Sequence, residues 1–99
     1  MIATLLIFSY GNNFDEEAIR NIALTAKSKF ENMPGLRSKA FTIHAEKKQA
    51  INFYIWDEEI AARNFFTEET LELVTKGYGV RPSVEFLEVA TLVDNHSPT

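Results

Sequence analysis

Residues 50 to 56, AINFYIW, alternate so that Ile51, Phe53 and Ile55 point one way and Asn52, Tyr54 and Trp56 the other, and neither file is made for water. A strand sends successive side chains to opposite faces, with about 7 Å between neighbours on one face. A strand that is apolar or aromatic on both sides needs cover on both faces of its sheet. With 99 residues the chain is a single domain, too short for two independent cores. The second cover therefore has to come from outside the chain's own helices.

Around this strand the periodicities alternate. Residues 2 to 10, IATLLIFSY, are rich in β-branched and aromatic types and stop at the turn cluster GNN, which predicts a first strand. From Asp15 onward, Ile19, Ile22, Ala23, Ala26 and Phe30 fall on one helical face. Asp15, Glu16 and Glu17 suit the positive end of the helix dipole, and Lys27 and Lys29 the negative end. Pro34 lacks an amide proton and ends the helix before MPG. Leu36 to His44 predicts a second strand, with Lys39, Phe41 and Ile43 on one side and Ser38, Ala40, Thr42 and His44 on the other; AEKKQ is its hairpin loop.

After the third strand, Asp57, Glu58 and Glu59 open a helical segment with a stripe of Ile60, Ala61, Asn64 and Phe65. A second helical piece follows in TEETLELVTKGYG, with Thr67 as N-cap, Gly77 and Gly79 closing it, and Pro82 preventing continuation. Val84 to Val93 is the last strand, and DNHSPT is a polar end whose residues 96 to 99 form a loose tail beyond a domain spanning 1 to 95. The order β-α-β-β-α-β is the split pattern of a ferredoxin-like α+β fold with a four-stranded antiparallel sheet.

Two helices cover one face of such a sheet. The other face is apolar as well: the first strand sets Ile2, Leu6, Phe8 and Tyr10 against Ala3, Leu5 and Ile7, and the last sets Val84, Phe86 and Ala90 against Leu87 and Val89. An apolar patch of that extent marks an interaction surface. A homodimer in which two sheets pack face to face is the economical solution.

Composition removes several function classes. Net charge is -4, and no predicted element carries a cluster of Lys and Arg, which argues against nucleic acid as a partner. The apolar start MIATLLIFS is too short for a membrane span and lacks the basic flank of a signal peptide, so it reads as strand and no membrane association is expected. There is no cysteine, which removes disulfides and thiolate chemistry and suits a cytoplasmic protein. His44 and His96 are the only histidines, without metal-ligand spacing, so no metal is expected.

The candidate site residues each carry two readings. Asn52, Tyr54 and Trp56 either line a pocket or fill the core with their polar tips satisfied, and a buried amide is an awkward choice for a purely apolar layer. His44 either exchanges a proton at the edge of a cavity left by Thr42, Ala40 and Ser38, or is a hydrated residue at a hairpin shoulder. Arg37 and Lys39 either bind an anion or are solvated strand-edge charges. Tyr78, between Gly77 and Gly79, either approaches a ligand or anchors its loop.

The β-α-β-β-α-β order, MPGL after the first helix, YIW before DEEIAARNFF, and YGVRPSVEFLEVATLVDN toward the end together resemble the YdhR-type mono-oxygenases of the dimeric α+β barrel superfamily. Antibiotic-biosynthesis mono-oxygenases are their relatives, and the resemblance spans residues 2 to 95. It implies a homodimer with a pocket between sheet and helices, holding a small aromatic, phenolic or quinol-like ligand whose deprotonated form reacts with molecular oxygen without flavin, haem or metal. The spacing of Asn52 and Trp56 is similar to the asparagine and tryptophan that hold the anion in such enzymes. By that likeness Asn52 and Trp56 are catalytic, with His44 as the candidate base. Tyr54 then donates a hydrogen bond, and Phe41, Phe65, Phe66 and Tyr78 are substrate-binding. ARNFF offers no histidine for a haem iron, so no cofactor is implied. The competing reading is a non-catalytic small-molecule-binding or stress-responsive dimer that uses the same cavity without turnover.

Overall fold

The computed structural model describes residues 1–95; the tail expected at 96–99, with His96, lies outside the described residues. Four strands, β1 (Ile2–Ser9), β2 (Leu36–His44), β3 (Gln49–Trp56) and β4 (Ser83–Glu88), form one antiparallel sheet in the order β2-β3-β1-β4. Between β1 and β2 runs α1 (Glu16–Phe30), and between β3 and β4 run α2 (Glu59–Phe65) and α3 (Glu68–Tyr78). The arrangement is ferredoxin-like, β-α-β-β-α-α-β, with the second helical region broken into two.

Local chemistry accounts for the helix limits. Asp15 caps α1, its side chain accepting from the Ala18 amide at 3.1 Å. Thr67 caps α3 in the same way through the Thr70 amide at 3.2 Å. At the far end Gly79 takes the left-handed conformation, φ 86°, and its amide bonds the Thr75 carbonyl at 2.8 Å. The break between α2 and α3 falls at Phe66, whose ψ of 59° leaves the helical region.

All helices lie on one face of the sheet. That face carries Thr4, Leu6 and Phe8 of β1, Asn52, Tyr54 and Trp56 of β3, Lys39, Phe41 and Ile43 of β2, and Val84 and Phe86 of β4, matched through the strand registers. Leu6, Phe8, Tyr54 and Trp56 are essentially inaccessible and form the core with Ile19 and Ala62. The opposite face presents Leu5, Ile7, Ile51, Phe53 and Ile55, all half-buried, with no helix over them among the described residues.

Two sequence expectations give way here. The last strand ends at Glu88 rather than Val93, because its partner β1 begins at Ile2, opposite Glu88. One more bond, from the Val89 amide to the Met1 carbonyl at 3.3 Å, exhausts that edge. The stripe assigned to α2 is rotated: Ile60 is 64% exposed and Asn64 is exposed, while Ala62 is fully buried. Helix α2 starts two residues later than expected, at Glu59, and is oriented by Phe65 and Phe66 packing on Tyr54 and Trp56.

Candidate functional site: an aromatic cleft between sheet and helices

A cleft of about 280 Å³ opens between the helix-covered face of the sheet, α1 and α3. Lys39 and Phe41 of β2 and Asn52 and Tyr54 of β3 form its floor; Phe30 and Tyr78 stand in its walls. Leu73, 64% exposed although it lines the cleft, stands at the mouth. An apolar cavity of about 150 Å³ holds benzene. This cleft has room for a substituted ring or a small two-ring compound.

Strand register sets the floor. Phe41 pairs with Asn52 and Lys39 with Tyr54, so these four side chains form a square on two neighbouring strands. Asn52, only 3% exposed, donates through Nδ2 to the Tyr78 hydroxyl at 3.0 Å. Helix α3 delivers that hydroxyl, and stacking of the Tyr78 ring on Phe8, with centroids 3.9 Å apart, fixes its direction. The Tyr10 hydroxyl donates to the Tyr78 carbonyl at 2.9 Å and ties the C-terminal end of α3 to the end of β1. Tyr78 accepts in this bond, so its own O–H proton is not used in it and remains for a further acceptor.

Burial pushes the Tyr54 phenol well above its ordinary value, with the charge of Tyr78 adding to the rise and Asn52 opposing it. Burial raises Tyr78 too, against the Asn52 hydrogen bond, and lifts Tyr10 to about 12. These phenols stay protonated at neutral pH, and Tyr10 donates its proton to the Tyr78 carbonyl. Lys39 behaves in the opposite sense: burial lowers its amine to about 7. Its Nζ lies 3.3 Å from the Phe30 ring centroid, 4.1 Å from that of Phe41 and 4.4 Å from that of Tyr54. No carboxylate pairs with it among the described residues.

The structure brings Asn52, Tyr54, Phe41, Phe65 and Tyr78 to the cleft. It does not bring Trp56 or Phe66 there. Trp56 is 1% exposed, stacks on Tyr54 with centroids 5.9 Å apart, and gives its indole N–H to the Thr4 hydroxyl at 3.2 Å. Phe66 packs edge-on against Tyr54, Trp56 and Phe86. His44 is on the other side of the sheet, at the β2–β3 hairpin, where its Nδ1 accepts from the Lys47 amide at 3.3 Å. Arg37 is occupied by an exposed ion pair to Asp57 at 2.8 Å. Among the described residues no group of His, Asp and Glu is placed to hold a metal ion, and no helix is long and apolar enough to cross a membrane.

No protein-family model matches the chain, and no curated protein matches it significantly. Solved structures do. SnoaB, a cofactor-independent oxygenase from Streptomyces nogalater, superposes with a TM-score of 0.68 at 12% identity, over 93% of this chain and 95% of that one. The ActVA-Orf6 monooxygenase of Streptomyces coelicolor, solved with Nanaomycin D, gives 0.65 at 16% identity over 95% and 92%. A protein named an antibiotic biosynthesis monooxygenase gives 0.63 at 13% identity over 92% and 100%. At such identities the likeness is one of fold, and the fold is shared along nearly the whole chain.

Proposed function

We propose that the protein is a cofactor-independent mono-oxygenase of a small aromatic, phenolic or quinol compound, a YdhR-type member of the dimeric α+β barrel group, acting as a cytoplasmic homodimer. The observation that carries this reading is the Asn52–Tyr78 pair: a buried amide bonded to a phenol, both of them lining an aromatic cleft. A ring hydroxyl lying over Phe41 and Tyr54 would meet these donors as its oxygen becomes negative, and fixed donors in a dry site stabilise such charge without reorganising. The electron-rich anion then reduces molecular oxygen. One oxygen atom enters the ring system and the other leaves as water, with all four electrons and both protons of that water coming from the substrate, as when a ring CH2 becomes a carbonyl. The neighbouring fold of an oxygenase named as cofactor-independent supports the same chemistry.

A second reading has its own observation. The Trp56 indole N–H is committed to Thr4, so the tryptophan acts on the cleft by bracing its Tyr54 and Phe65 rings. A dimer that binds the ring compound without turning it over uses the cleft equally well.

Oxygen consumption with a panel of hydroquinones and naphthohydroquinones separates the two. The mono-oxygenase reading expects uptake above autoxidation for at least one compound, falling by about tenfold or more in Tyr78→Phe through loss of the positioned donor. Saturable binding with no added uptake across the panel assigns the cleft to storage or sensing instead.

A further inference from the structure

We propose that Lys39 is the proton acceptor of the cleft and afterwards the counter-cation of the ligand: its amine takes the proton of an acidic ring hydroxyl and then holds the oxyanion. This rests on the reading of the cleft as a site for hydroxylated aromatic compounds, and supplies the base that reading lacks.

Placement argues for it first. Lys39 belongs to the floor of the cleft, one pleat along β2 from Phe41 and cross-strand from Tyr54. Its Nζ sits within 4.4 Å of three ring centroids. It has no ion pair among the described residues. An ammonium there has lost water and gained only ring faces, which repay part of the loss. A ligand oxyanion completes its surroundings. Before binding, the lost water favours the free amine, and the amine is depressed to about 7.

The other ionisable groups around it do not compete for the role. Helix α1 contributes Lys29 to the cleft and Lys27 to the hollow beside Lys39, to which Glu31, just past the end of α1, and Arg37 of β2 also belong. Tyr54 and Tyr78, from β3 and α3, are held protonated by burial. The extra cations favour an anionic guest. Glu31, across that hollow, makes no ion pair with Lys39 among the described residues.

The step balances without a further reactant. The phenolic O–H bond breaks, an N–H bond forms on Nζ, and an ammonium and an oxyanion remain side by side. Asn52 and Tyr78, already hydrogen-bonded to each other, share the anion from the neighbouring strand and helix.

The probe is 4-nitrophenol, whose anion alone is yellow, bound anaerobically to the full chain over a pH series. In the wild type the bound phenol is expected to ionise at least about one pH unit below the free compound, about a tenfold gain in its ionisation constant. Lys39→Met, of similar length and apolar, is expected to keep the fold by circular dichroism and to bind the neutral, colourless form. Lys39→Arg keeps a cation that cannot give up its proton, so it captures anion from solution with no ionisation step on the protein. Equal ionisation in wild type and Lys39→Met, or no binding to the wild type, overturns the proposal. The mono-oxygenase reading is tested apart from it: a probe ionised by Lys39 with no oxygen uptake for any quinol removes that reading and leaves Lys39 in place. Undiminished uptake in Lys39→Met does the reverse.

Discussion

Lys39 makes the stability of the free protein depend on pH in an unusual direction. Its amine titrates near 7 in the fold, because of burial, against 10.5 when exposed. Between those values the unfolded chain holds a proton that the folded chain has released, so folding strengthens as pH rises through that window and is weakest below about 7. Tyr10, Tyr54 and Tyr78 act with the opposite sign, since their raised values weaken the fold only once unfolded phenols ionise, near 10 and above. The melting temperature should therefore climb between pH 7 and pH 9, and Lys39→Met should flatten the climb while raising stability at pH 6. A pH-independent wild type in that window would mean that the amine keeps its water. The sequence placed Lys39 on one file with Phe41 and Ile43, which is correct, yet its surroundings could not be read from that file. Whether a lysine on a strand reaches water or folds over rings depends on Phe30, brought from the end of α1.

At the level of elements, the file Asn52, Tyr54, Trp56 was legible as one face, and the division of labour within it was not. Steps of about 7 Å carry the three residues out from under one helix and beneath another. Phe65 and Phe66 of the α2 region close over Trp56 and bury it, whereas Asn52 lies farther along, where α1 and α3 leave a gap. Where a helix crosses a sheet is set by packing between them. Here a glycine decides part of it. The MPGL turn carries the chain from α1 into β2 beneath α2, and the Gly35 carbonyl accepts from the Asp57 amide at 2.9 Å. Gly35 has φ +81°, and a β-carbon there would lie 2.5 Å from that of Ala61. Gly35→Ala thus combines a strained backbone with a collision against α2, and should lower unfolding free energy by about 2–4 kcal/mol. Gly11, with φ +57° and open space around it, is the control: Gly11→Ala carries the backbone strain alone, and denaturant midpoints should separate the two variants.

For the whole molecule, the two faces of the sheet carry separate tasks. The helix-covered face holds the cleft, built entirely from residues of one chain, and the open face holds Leu5, Ile7, Ile51, Phe53 and Ile55, with no helix over them among the described residues. That apolarity on both sides was readable from AINFYIW alone, since it follows from alternation. In the proposed dimer the open face meets its copy, and Phe53, on the second strand from the edge, sits inside the patch rather than at its rim. Phe53→Arg puts a charge where two sheets would exclude water, at a cost no surface pairing offsets unless the partner supplies a carboxylate. Glu85 is the nearest acidic residue on that face, and it lies across β1, on β4. Sedimentation at micromolar concentration should give a dimer for the wild type and a monomer for Phe53→Arg. The monomer should unfold earlier and still bind 4-nitrophenol, because the cleft opens on the other side of the sheet. A monomeric wild type would remove the dimer. A monomeric variant that folds but loses the ligand would instead couple the faces through β3, the one strand that serves both: Ile51, Phe53 and Ile55 toward the partner, Asn52 and Tyr54 toward the cleft.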